Sequence, residues 1–147
     1  MNPKMTKEEY KKYVDKKSPN SPILKNTIKA FLGGGLICAI GQMFLNFYKS
    51  KGLGMENSFG LVSITLIFIG ALLTGFNLYD KIGKHLGAGA LVPITGFSNS
   101  IVSPAMEFKS EGFVLGVGAK MFVIAGPVLV YGITSSVIAG LIYYFIR

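Results

Sequence analysis

The chain has 147 residues, half of them apolar and only 15% charged, with 19 glycines, no Trp and a formal charge of +8. A soluble domain carries about a quarter of its residues as charges, so the composition argues for a membrane protein. Cys38 is the only cysteine, which excludes a disulfide framework and a cysteine metal cluster.

The positive charge is concentrated at the start. Lys4, Lys7, Lys11, Lys12, Lys16, Lys17, Lys25 and Lys29 precede the first apolar run, against Glu8, Glu9 and Asp15. Such a flank holds the N-terminus in the cytoplasm and touches anionic lipid headgroups. Nothing beside it resembles a DNA or RNA module, so no nucleic-acid partner is expected. A cleaved secretory signal is not expected either, because the first apolar run starts late and ends without a small-x-small site. Thr6 and Glu9 have capping-box spacing, and Tyr10, Tyr13 and Val14 form one narrow apolar stripe, which predicts a short helix over 6–17. It reads as a solvated arm resting on the membrane surface, with a partner-binding helix as the alternative. Ser18-Pro19-Asn20-Ser21-Pro22 ends it as a linker.

The first spanning helix is predicted over 30–48, close to the ~20 residues a crossing needs. Ala30, Gly34, Cys38, Gln42 and Asn46 recur every four residues, a face that runs from small to polar and is expected to pack on another helix. The second span is predicted over 61–79. Gly60, Ser63, Ile67, Gly70, Thr74, Asn77 and Lys81 form its packing stripe, with the polar end facing either a neighbouring helix or a permeation path. Leu66, Phe68 and Leu72 lie off the stripe and suit lipid. Tyr48 and Tyr79 stand at span ends, where aromatic anchors are expected.

The stretch 86–108, LGAGALVPITGFSNSIVSPAMEF, is apolar enough to enter a membrane but is interrupted by Pro93, Gly96, Ser98-Asn99-Ser100 and Pro104. Lipid cannot satisfy the backbone groups that such breaks release, so irregular backbone at this depth belongs where it is buried in protein or lines a watery cavity. Ser98, Asn99 and Ser100 can cap a half-helix running towards Met106, whose exposed N–H groups favour anions. A purely structural break is the alternative. The final apolar run, 113–145, would extend ~50 Å as one helix, beyond the ~30 Å hydrocarbon core. A division at Gly126-Pro127 and Gly132 is therefore expected, leaving a clean span near 124–144, or else a re-entrant hairpin formed by its first part with the broken segment.

Lys120 is the sharpest charge in an apolar setting. It either pairs with Glu107 or Glu111, snorkels, or meets an anion. Glu107 and Glu111 are too few for a calcium cage, and His85 has no second histidine or catalytic motif beside it. No catalytic residues, no metal site and no cofactor are expected. The fold expected is an all-α membrane protein with three to four transmembrane helices and a broken, re-entrant segment near 86–108. Residues 1–29 form a basic cytoplasmic arm and 30–147 a multi-pass transmembrane channel domain. The candidate pore or substrate path comprises Asn77, Pro93, Thr95, Gly96, Ser98, Asn99, Ser100, Glu107 and Lys120.

Four stretches carry a family resemblance: FLGGGLICAIGQ at 31–42, LLTGFNLYDKIGKHLGAGALVPITGFSNS at 72–100, EFKSEGFVLGVG at 107–118, and AGPVLVYG at 125–132. They are similar to the AC- and AE-type membrane subunits of the SpoVA family of spore-forming bacteria. The resemblance implies transport of dipicolinic acid (pyridine-2,6-dicarboxylic acid) with calcium across the spore inner membrane, inward during sporulation and outward in germination. It also implies tension-sensitive channel behaviour, oligomeric assembly with AD- and AE-type subunits, and contact with membrane lipids. A non-conducting scaffold subunit of the same complex is the competing function. A membrane enzyme would need catalytic groups that the sequence does not supply.

Overall fold

The computed structural model describes residues 6–18 and 21–146, and among these there is no strand. Helix α1 (Lys7–Lys17) opens with the expected capping box. The Thr6 N–H donates to Glu9 Oε2 at 2.9 Å and the Glu9 N–H to Thr6 Oγ1 at 3.4 Å. These bonds hold the Glu9 carboxyl below its usual range, because they favour its charged form. The helix buries none of its residues. Pro19 and Asn20 of the expected linker lie outside the described residues.

Three helices are long and apolar enough to cross a membrane: Ile23–Ser50, Met55–Gly75 and Phe113–Ile146. The first two are α2 and α3. Helix α2 runs through Lys29 and Ala30 without interruption, so the last part of the basic arm continues into the span. The short connection before Met55 brings α3 back beside α2. Tyr48 and Thr65 tie the two together, with their hydroxyl oxygens 2.7 Å apart.

The packing face of α2 differs from the four-residue series. Gly33, Gly41 and Leu45 are buried, whereas Cys38, Gln42 and Asn46 are exposed. The reason is where the bulky partners stand: Leu86, beyond α3 in the chain, fills the space beside Gly33, and Leu66 of α3 fills the space beside Gly41. Leu66 is accordingly buried between helices, not lipid-facing, while Phe68 and Leu72 are exposed as expected. Gln42 and Asn46 bond to each other, Nε2 to Oδ1 at 2.9 Å.

Helix α3 ends at Gly75, before the expected Tyr79. Asn77 takes a left-handed φ of 56°, a conformation that asparagine tolerates better than most side chains. The Leu78 N–H returns to Leu73 O and the Asn77 N–H to Thr74 O, both at 2.9 Å. That pair of bonds is a Schellman motif with Asn77 at its left-handed position. The turn starts α4 (Tyr79–Leu86) with Tyr79 facing inward. Tyr79 is 3% exposed, so it is an internal tie and not an interfacial anchor.

The break near 86–108 is present and is narrower than expected. A turn at Gly87, φ 53°, leads to the single-turn α5 (Ala88–Leu91), and α6 (Ile94–Glu107) follows Pro93. Pro93 stands at the N-cap with extended ψ, where the backbone need not supply an N–H to a preceding turn. Ser98, Asn99 and Ser100 therefore lie inside α6 and do not cap it. The polar run stays helical because its hydroxyls find acceptors: Ser98 donates to Ile67 O at 2.9 Å and Ser100 to Phe97 O at 2.7 Å. Residues 94–107 form helix, and the non-helical residues of the stretch are Gly87, Val92, Pro93 and Phe108.

Helix α6 is 14 residues long, about 21 Å at 1.5 Å per residue, which is short of the ~30 Å core. It packs most extensively on α3. A Cβ on Gly70 would lie 2.9 Å from Thr95 O, so glycine there sets how closely the two backbones approach. A 3₁₀ turn (Lys109–Glu111) and a π-helical stretch (Phe113–Gly118) then lead into α7 (Ala119–Ile146).

The long final run is not divided at Gly126-Pro127 or Gly132; α7 continues through both. Its irregularity lies earlier, in the glycine-rich π turn, where Gly116 is buried against Phe108 O and Glu111. Helices α6 and α7 thus form the arms of a hairpin. From Pro127 to Ile146 every residue of α7 is exposed.

Candidate functional site

A polar cleft of about 670 Å³ opens between the α3–α4 joint and α6, within the ~300–1,000 Å³ typical of small-molecule sites. Thr74, Asn77, Asp80, Lys81 and Lys84 form one wall, and Asn99, Ser103, Met106 and Glu107 form the other. The Schellman turn is what builds it. By ending α3 at Gly75 it turns α4 so that Asp80, Lys81 and Lys84, spaced three and four apart, stand on the cleft side. On α6, Asn99, Ser103 and Glu107 follow at four-residue steps and share a face.

The base of the cleft is Thr74, whose hydroxyl oxygen lies 2.7 Å from Gly70 O and 2.9 Å from Asn99 Oδ1. One hydroxyl proton serves one of these acceptors. With the Asn99 amide turned over, its NH₂ donates to Thr74 and both bonds are made.

The charges around the rim balance, with two lysines and two carboxylates. Lys84 Nζ and Asp80 Oδ2 are 2.9 Å apart on successive turns of α4, both well exposed. Among the described residues no ion pair engages Lys81 or Glu107, so these two remain open to a solute.

The sequence-derived path residues divide four ways. Asn77, Asn99 and Glu107 line the cleft. Thr95, Gly96 and Ser98 are buried in the packing beneath it. Tyr79 bridges Ala90 O at 2.6 Å and Thr95 Oγ1 at 2.8 Å; it donates to the carbonyl and accepts from the threonine. Gly96 sits against the carbonyls of Ala90 and Leu91. Pro93 starts α6, and Ser100 is bonded within it. Lys120 stands apart, with Nζ 4.7 Å from the centroid of the Phe108 ring. It makes no ion pair with Glu107 or Glu111, and the cation–π contact ties the first turn of α7 to the end of α6.

Asp80, Lys81, Lys84, Ser103 and Met106 were not among the sequence-derived candidates. The stretch 80–85 reads as a polar joint, although Asp80 and Lys84 at i, i+4 already marked a helix with a charged face. Among the described residues no group of three or more His, Cys, Asp or Glu is placed to hold a metal ion.

Three apolar helices, a short interrupted helix pair between the second and third, and a polar cleft at one end of the bundle define a multi-pass α-helical membrane protein. The model of the SpoVAC/SpoVAEB sporulation membrane proteins matches residues 26–142, and the chain belongs to that family. It is 51% identical over 139 residues to stage V sporulation protein AC of Bacillus subtilis (strain 168), covering 94% of this chain and 93% of the relative. No solved structure matches it.

Proposed function

We propose that the chain is a channel or transporter subunit through which dipicolinate, with calcium, crosses the spore inner membrane, inward in sporulation and outward in germination. The carrying observation is the charge-balanced cleft between α4 and α6. Dipicolinate is a dianion and calcium a dication, so their one-to-one chelate is neutral overall but carries strongly charged ends. A site presenting both lysines and carboxylates suits such a solute better than a purely basic one would. Lys81 would meet carboxylate oxygen, Glu107 the calcium side, and Asn77 and Asn99 the polar edge. Transport needs no catalytic group, and the reading assigns the chain no enzymatic role.

The lysine-rich N-terminus supports a cytoplasmic location for that end. Partner subunits or further copies complete the passage, because the cleft walls come from one end of a three-span bundle. Gln42 and Asn46 also stand exposed within the apolar part of α2. The scaffold alternative draws support from the internal bonding of Thr95 and Ser98, which leaves those groups to hold α6 in place.

Purified chain in liposomes loaded with calcium dipicolinate separates the two. A conducting subunit releases the solute when the membrane is stretched, and Glu107→Gln and Lys81→Gln slow that release several-fold at equal protein incorporation. A scaffold releases none, and spores carrying either variant keep normal dipicolinate.

A further inference from the structure

A second cleft, of about 470 Å³, lies where the first turns of α2 meet the end of α4, lined by Asn26, Thr27, Lys29, Lys84 and His85 among others. It differs from the first in one decisive respect: no carboxylate lines it. His85 Nδ1 lies 2.8 Å from Lys81 O and donates to it, leaving Nε2 as the ring's remaining polar atom. Lys84 lines both clefts, while Lys29 and His85 belong to this one.

Beneath it a slot of about 170 Å³ runs between α2 and α3, walled by Leu36, Ile37, Ile40, Ile69 and Leu73 with Leu86 at its head. Leu86 lines both spaces, so the slot adjoins the cationic cleft. From Gly33 to Ile40 the slot follows α2 for about 10 Å at 1.5 Å per residue. Tyr79 and Thr95 also border it, but their hydroxyls are already bonded to each other and to Ala90 O. Its wall therefore offers nothing to a polar solute.

We infer that this pair of spaces is a binding site for one anionic phospholipid, with the phosphate headgroup against Lys29 and an acyl chain in the slot between α2 and α3. The depths agree. Lys29 lies in the polar first turns of α2, and the slot begins in the apolar run that crosses the hydrocarbon. A basic patch at the interface attracts an anionic headgroup, and an apolar slot directly below it selects for an amphiphile over a free anion.

The test uses the full chain purified in detergent and titrated with phosphatidylglycerol or phosphatidylcholine, with bound lipids counted by native mass spectrometry. One phosphatidylglycerol should be retained per chain at concentrations where phosphatidylcholine is not. Lys29→Gln should weaken retention by about five-fold, for the one full positive charge it removes. Ile40→Trp, which fills the slot and leaves the headgroup cleft untouched, should also reduce it. Glycerol phosphate and inorganic phosphate should not displace the lipid. Equal retention of the two lipids, displacement by inorganic phosphate, or retention unchanged in both variants would overturn the assignment. The lipid preference of the unaltered chain is decisive even where a variant fails to fold.

Discussion

Thr74 and Asn99 meet side chain to side chain at 2.9 Å between α3 and α6, the two helices with the most extensive contact in the chain. The pair sits at the base of the polar cleft and joins the second spanning helix to the interrupted segment. Position and stability are therefore coupled there. Thr74→Val keeps the shape and removes the bond, and Asn99→Leu removes it from the other side. Each is expected to destabilise the fold by about 1 kcal/mol, the range of side-chain hydrogen bonds between membrane helices. The double variant should cost less than the sum of the two. Unfolding in mixed micelles with increasing denaturing detergent measures this.

Much of the architecture was legible from apolar run length and from the placement of proline and glycine. The first two spans, the capping box at Thr6 and the interruption at Pro93 follow from local chemistry that any neighbourhood would respect. The misread faces have one common cause. In a membrane helix, glycine and serine mark a face equally well for a neighbour, for lipid or for water, so Ala30–Asn46 could not be told from Gly33–Leu45. Likewise Ser98 looked like a helix breaker because its acceptor, Ile67 O, is invisible without the fold. The cleft was half visible. Asn77, Asn99 and Glu107 stood out as polar groups among apolar ones, whereas Asp80, Lys81 and Lys84 were hidden by an ordinary-looking polar joint.

Gly89 provides a steric test of how the interrupted segment docks. A Cβ there would run into the Ala30 backbone, whereas one on Gly60 would meet nothing within 4 Å. Gly89→Ala should force α5 away from α2 and cost about 1–3 kcal/mol, as overpacking does. Gly60→Ala should be neutral or stabilising by up to about 1 kcal/mol through helix propensity. Comparing the abundance of folded, detergent-extractable protein for the two variants checks the difference.

The pH response of α1 follows from Glu9, whose carboxyl is held below its ordinary value by the Thr6 backbone and then by its side chain. A depressed folded value means that the contribution to helix stability is present above the unfolded carboxylate range, near pH 4.3. It is lost as pH falls through the lower folded value. Amide protection in residues 7–17 of the full chain, measured relative to intrinsic exchange at each pH, should therefore fall on acidification below that range. Thr6→Ala should remove most of the pH dependence by returning Glu9 towards its ordinary value. Unchanged pH dependence in Thr6→Ala would rule out the capping box as its source.

Gln42 and Asn46 give the last prediction. They are exposed on α2, and their mutual bond leaves the Gln42 carbonyl, one of its N–H groups and the Asn46 NH₂ without a partner among the described residues. Hydrocarbon offers these groups nothing, so another helix or water must. A carboxamide is both donor and acceptor, which lets the same face of a second copy satisfy it. Gly35 and Ala39 on the same exposed side allow the backbones to approach. Cys38, one turn from Gln42 and exposed, reports on that geometry without any introduced residue. Mild oxidation of the chain in lipid should produce a Cys38-linked dimer, since a disulfide requires Cα atoms within about 7 Å. Gln42→Leu with Asn46→Leu should abolish the link while leaving protein abundance unchanged. Rapid modification of Cys38 by a charged thiol reagent, with no dimer, would instead mean that this face lines water.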